Sequence, residues 1–220
     1  MERLIAVLAS IASAQSAFDI KGQAQQDGSY RITSRAEITS FSDNIVVSYP
    51  VLTGLEGAPP EAQQFILDGW HAMVRSQMEK ITAQVAMAGL ELGLLVRGGL
   101  TRGKLYHLGG VVVGKGMVDA YKLERDVAVG ARVVVDPAIQ DHARLVKDED
   151  GHWCLDFITE LMLLADDTRG GAIKWAQERL VEIDASISDL NSKGLSKIGG
   201  KWEGFRDRLQ YAKNTWRANS

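Results

Sequence analysis

One cysteine, Cys154, is all that the 220 residues contain, so no internal disulfide braces the chain and the framework fits a reducing compartment. A buried, inert thiol is the expectation for such a lone residue. No stretch approaches the roughly 18 uninterrupted apolar residues that a membrane span requires. An excess of one charge is missing too: 25 Lys and Arg stand against 28 Asp and Glu, a net charge of -3. That balance offers no cationic surface for nucleic acid, so neither nucleic acid nor membrane is an expected partner and an anionic ligand has to be met locally. The four histidines, His71, His107, His142 and His152, lack the i, i+4 spacing of a helical zinc site, and Cys154 beside His152 makes only two ligands. The glycine-rich segment 111–116 lacks the GKS/T ending of a P-loop. No internal repeat or low-complexity tract appears.

What is present reads as alternating strands and helices. Residues 1–14, MERLIAVLASIASA, have the outline of a secretory signal, yet Glu2 cancels Arg3, and Leu4, Ile5, Leu8, Ile11 and Ala12 form one helical stripe. The expectation is an amphipathic helix in a cytoplasmic protein. Residues 16–29 read as a loop. Residues 30–41 and 45–49 are β-branched and joined by Ser42-Asp43-Asn44, which predicts a hairpin with Asp43 at its tip. After Pro59-Pro60, apolar residues such as Phe65, Ile66, Met73, Ile81 and Val85 predict a long helix over 61–90. A second β pair is expected from 94–105 with 111–113, where Gly98, Gly99 and Gly103 signal a bulge or the close approach of a backbone or ligand. Further expectations are a helix over 116–125, a strand over 132–136, a hairpin over 148–158 turning at Asp150-Gly151, and helices over 173–187 and 201–218 anchored by Trp175, Trp202, Phe205 and Trp216. The fold class is an α+β sandwich.

Two segments carry the functional reading. TSFSDNIVVSYP, residues 39–50, puts a carboxylate in a hairpin, and VRGGLTRGKLYHLGGVVVGKGMVDAYKLE, residues 96–124, supplies glycines and cations. With Ala120 and the strand ending in Val135-Asp136-Pro137, this series resembles the second half of the class III nucleotide cyclase domain. It is similar above all to the bacterial pyrimidine cyclases of the Pycsar antiphage systems. The likeness covers residues 38–157, and its specificity lies in the order and spacing of the motifs.

The resemblance implies a ferredoxin-like βαββαβ core within residues 1–160, with residues 161–220 as a helical extension packed on the same domain. It also implies a homodimer with active sites at the subunit interface. The reaction would close UTP, before CTP, to its 3',5'-cyclic monophosphate with loss of pyrophosphate, giving a second messenger in antiphage defence for a downstream cyclic-nucleotide effector. Two divalent ions, Mn²⁺ or Mg²⁺, are implied, needing hard oxygen ligands. Asp43 matches a metal-bridging carboxylate of the family. Thr39 occupies a base-reading position where purine cyclases often hold Lys or Glu, and Tyr49 is placed to stack on the base. Arg97 is a candidate for a pyrimidine carbonyl or a triphosphate oxygen, with a structural ion pair as its alternative. Lys122 stands where many purine cyclases use Arg, and is a candidate to neutralise charge on the phosphate. Lys115, entering the same helix, is a candidate phosphate ligand.

The sequence also departs from the family. Val118 replaces an Asn that assists purine cyclases, and the N-terminal strand carrying the first metal Asp has no counterpart. Asp19, in Phe18-Asp19-Ile20-Lys21-Gly22, imitates it but leaves too few residues before Asp43 for a helix and a return strand. The first ligand is expected upstream. These departures keep open a silent cyclase-homology module that binds nucleotide or dimerises without turnover.

Overall fold

In a computed structural model the described residues are 23–24, 30–31, 36–41, 44–52, 55, 59–139 and 145–218. Among them the protein is mixed α+β, with five α-helices and several small sheets. The chain forms two compact units, Met1–Met78 with Gly103–Met117, and Glu79–Arg102 with Val118–Ser220. The expected N-terminal helix over 1–14, Asp19, Ser42 and Asp43 lie outside the described residues.

The first unit is built from two-stranded antiparallel pieces. Strand β1 (Gln23–Ala24) pairs with β2 (Tyr30–Arg31), so the expected loop over 16–29 contains a short strand and the strand expected over 30–41 is not one element. β3 (Glu37–Phe41) and β4 (Asn44–Ser48) form the expected hairpin, in a register that pairs Phe41 with Asn44. Next, β6 (Tyr106–Leu108) pairs with β7 (Val111–Val113). This corrects the expected pairing of 94–105 with 111–113. The cause is the Gly109-Gly110 turn, whose φ angles of 58° and 82° are those of a type I′ turn that folds a strand directly back on its neighbour.

Helix α1 (Pro60–Glu91) passes from the first unit into the second. Pro60 fits its first turn, where a missing N–H costs nothing. At its end Gly93 N–H bonds to Leu90 C=O and Leu94 N–H to Gly89 C=O. This is a Schellman cap, and the φ of 71° at Gly93 is what makes glycine the fitting residue there.

The second unit centres on a sheet of order β5-β8-β10-β9, formed by β5 (Gly98–Leu100), β8 (Val133–Val135), β9 (Val146–Lys147) and β10 (Trp153–Cys154). β5 and β8 are parallel, the other neighbours antiparallel. The strand expected over 94–105 shrinks to three residues. At Gly99 a side chain would run into Ala120 C=O and Leu123 Cβ, whereas Gly98 faces the Val133 side chain, so the close approach foreseen is at Gly99 that of a helix backbone. Helix α2 (Lys115–Lys122) is shorter than expected because it passes into a π-helical turn, Leu123–Val127, closed by Ala128 N–H on Leu123 C=O.

The hairpin expected over 148–158 is β9–β10, and it ends sooner. Asp156 accepts a hydrogen bond from Thr159 N–H and caps α3 (Phe157–Ala165), so Phe157 and Ile158 open a helix that the strand expectation had covered. Helices α4 (Arg169–Ser192) and α5 (Ser196–Ala218) extend the two C-terminal helices expected. Phe157, Leu161, Met162, Ala172, Ala176, Phe205 and Leu209 are essentially removed from water. Of the four aromatic anchors expected, Phe205 is buried, while Trp175, Trp202 and Trp216 are half-buried.

Candidate functional site

Pairing fixes which residues share a face of the β3–β4 hairpin. Glu37 stands opposite Ser48 and Thr39 opposite Val46, so with side chains alternating along each strand these four project to one side. His107 bridges two of them: its Nδ1 lies 2.8 Å from Ser48 Oγ and its Nε2 lies 2.8 Å from Thr39 Oγ1. The β6–β7 hairpin explains why His107 is available. Its neighbours Tyr106 and Leu108, with Val111 and Val113 across the strand pair, are exposed on one face, and His107 with its partner Val112 points to the other.

Burial lowers the affinity of His107 for a second proton, against a smaller opposing pull from the Glu37 carboxylate. A neutral imidazole is one donor and one acceptor, so of the two hydroxyls one donates to it and the other accepts. The cluster is polar and half-buried, with Thr39 retaining hydrogen-bonding capacity beyond the ring. Tyr49 follows directly on β4, and burial pushes its hydroxyl up to about 12. It is therefore protonated at neutral pH and offers a donor as well as a ring face.

The remaining candidates sit on other elements. Arg97 immediately precedes β5 and forms an ion pair with Glu124 of the π-helical turn. Lys115 and Lys122 are the first and last residues of α2 and both are exposed. Asp126 has its carboxyl held below the usual range chiefly by Arg125, with a smaller contribution from Lys122. Val118 is exposed on the same helix. At the C-terminal end of the parallel pair β5–β8, Thr101 Oγ1 donates to Asp136 Oδ2 at 2.7 Å, and Asp136 Oδ1 accepts from Ala138 N–H.

Among the described residues no three His, Cys, Asp or Glu side chains are grouped so as to hold a metal ion. Asp43, the metal ligand the resemblance implies, lies outside them, so the described donors do not by themselves fit a two-metal centre. Cys154 is buried, and burial pushes its thiol up to about 12, which makes it the inert core residue expected. Among the described residues no helix is long and apolar enough to cross a membrane.

Sequence reasoning did not find His107, Ser48 or Glu37 as a group. The available signal was the alternation Tyr106-His107-Leu108, which sets one polar residue against two apolar ones on a strand.

No family model matches the chain, and neither a curated protein nor a solved structure shows significant similarity to it.

Proposed function

We propose that this protein is a pyrimidine nucleotide cyclase, converting UTP or CTP to the 3',5'-cyclic monophosphate and pyrophosphate in the cytoplasm as an antiphage signal. The observation that carries the reading is the hairpin Glu37–Phe41/Asn44–Ser48, whose register pairs Phe41 with Asn44 and holds Thr39 in a hydrogen-bonded polar cluster. In this reading Thr39 and Tyr49 meet the base and Lys115 the triphosphate. Asp43 would be the residue to hold divalent ions, which would supply a lowered pKa for the attacking ribose hydroxyl and stabilisation of the leaving oxygen.

The exposed apolar face of β6–β7, where Tyr106, Leu108, Val111 and Val113 are each 55–59% exposed, supports self-association as a homodimer. The ferredoxin-like βαββαβ arrangement belongs to the same proposal. Its support is the parallel pair β5–β8 with helix α2 in the connection between its strands.

The test is incubation of the purified protein with ATP, GTP, CTP and UTP and Mn²⁺, with cyclic products read by mass spectrometry. Cyclic UMP or CMP is expected, lost in Asp43→Ala without a change in melting temperature. Absence of product from every triphosphate overturns the reading. A second reading, a silent cyclase-homology module, draws on Val118 and on the engagement of Arg97 by Glu124. Its signature is a rise in melting temperature with nucleotide and no pyrophosphate release.

A further inference from the structure

A threonine hydroxyl has one proton, so whatever it already hydrogen-bonds decides what it can offer a ligand. We infer that the ordered set Glu37, Ser48, His107 and Thr39 turns Thr39 into a hydrogen-bond acceptor, and thereby selects a pyrimidine bearing a 4-amino group, CTP, over UTP. The inference rests on the proposal that Thr39 meets the base.

Two proton arrangements satisfy the distances around His107. In one, Nε2–H donates to Thr39 and Nδ1 accepts from Ser48, which leaves the Thr39 proton free for a carbonyl such as O4 of uracil. In the other, Thr39 O–H donates to Nε2 and Nδ1–H donates to Ser48 Oγ, and Thr39 faces a ligand with lone pairs alone. The Glu37 carboxylate separates them. Glu37 is the cross-strand partner of Ser48, the residue bonded at the Nδ1 end of the ring, and its negative charge favours a proton on the imidazole.

A negative charge at that end orients the dipoles so that each N–H and O–H points toward it. The sequence of bonds then runs from Thr39 O–H to Nε2 and from Nδ1–H to Ser48. The 4-amino group of cytosine completes the remaining Thr39 lone pair, whereas O4 of uracil sets acceptor against acceptor and leaves a desolvated polar pair unsatisfied.

The experiment compares kcat/KM for CTP and UTP, and Kd for each by calorimetry, in the full chain and three variants. The wild type is expected to favour CTP about tenfold, the size of one well-placed hydrogen bond. Thr39→Val, a β-branched near-isostere, is expected to bring the ratio to about one, Thr39→Ser to restore it, and Glu37→Gln to move it toward UTP. Equal use of the two nucleotides, a preference for UTP, or a ratio unmoved by Thr39→Val overturns the inference while leaving the cyclase intact. CTP-selective binding that depends on Thr39, with no cyclic product, keeps the inference and overturns the cyclase. Failure to bind either pyrimidine overturns both.

Discussion

The unit built around β8 and the unit built around the hairpins β3–β4 and β6–β7 are held by different means. Val133, Val134 and Val135 are buried along the whole of β8, as are Phe157, Leu161 and Met162 of α3 and Phe205 and Leu209 of α5. In β4, by contrast, every residue from Asn44 to Ser48 is only half-buried, and a tie between hairpins is a single imidazole with two hydroxyl partners. Apolar burial contributes about 1.5–3 kcal/mol per large side chain, whereas a part-exposed hydrogen bond contributes about 1 kcal/mol. Stability is thus concentrated in the sheet and helix unit, and the hairpins are tied by half-buried polar side chains.

The largest break in that contrast should come from the core. Leu161 is fully buried, so Leu161→Ala is expected to cost about 2–5 kcal/mol through lost transfer energy and the cavity left behind. Chemical denaturation reads it directly. Ser48→Ala in the hairpin unit should cost about 1 kcal/mol. A core substitution no more costly than the hairpin one would abolish the distinction.

Next in size is the charged cluster that ties α5 to the β9–β10 turn. Asp148 Oδ2 accepts from Arg132 at 2.6 Å and pairs with Arg208, and Arg132 also reaches Asp150 and the Val127 carbonyl. Removing Asp148 takes one of two carboxylate partners from the nearly buried Arg132 and the carboxylate partner from Arg208. Asp148→Ala is expected to cost about 3 kcal/mol. The same cluster sets a pH dependence, because the Arg132 guanidinium holds the Asp150 carboxyl well below the usual carboxylate range. The stabilisation is complete above the ordinary value of about 4 and is lost as pH falls toward the lowered value in the folded state. Thermal melts of the wild type and Asp150→Asn should therefore converge as the pH is taken below 4. A gap that stays constant would mean that the carboxylate charge contributes nothing.

Alkaline titration probes both units. Cys154 in the core and Tyr49 beside the hairpin are each pushed up to about 12 by burial, while their unfolded forms ionise near the ordinary values of about 8.5 and 10. Stability from each is complete below its unfolded value and declines as pH rises toward 12. Tyr49→Phe should flatten the loss between about pH 10 and 12 and leave the Cys154 part of the curve unchanged.

How much of this was legible in the sequence depends on the range of the signal. The β3–β4 hairpin and helix α1 follow from local pattern, a short polar connection between β-branched runs and a long periodic segment opened by proline. Both are found almost where expected. The error at 94–113 came from reading one long strand through Gly98, Gly99 and Gly103 and overlooking Gly109-Gly110 as the turn. Helix α3 was hidden because FITELMLLA is apolar on nearly every side, which periodicity cannot assign when the segment is short. His107 lay beyond any local reading, since its partners Thr39 and Ser48 are 68 and 59 residues away. Strand pairing sets Thr39 and Ser48 on one face, and the contact between the two hairpins brings His107 to both.

The smallest expected effect concerns the apolar face of β6–β7. Leu108 and Val111 are cross-strand partners, each more than half exposed, so within a single chain neither side chain has much burial to lose. Leu108→Ser should then change the unfolding free energy of dilute protein by no more than about 0.5 kcal/mol, the range of ordinary surface substitutions. Under the homodimer proposal the same change should weaken self-association, since a contiguous apolar face gains its stabilisation from the partner that covers it. Sedimentation at several concentrations, with melting temperatures measured at each, separates the two. A loss of stability confined to high concentration marks an intermolecular contact. A large loss that is the same at every concentration would mean that this hairpin carries core weight, and the division between the two regions would have to be redrawn.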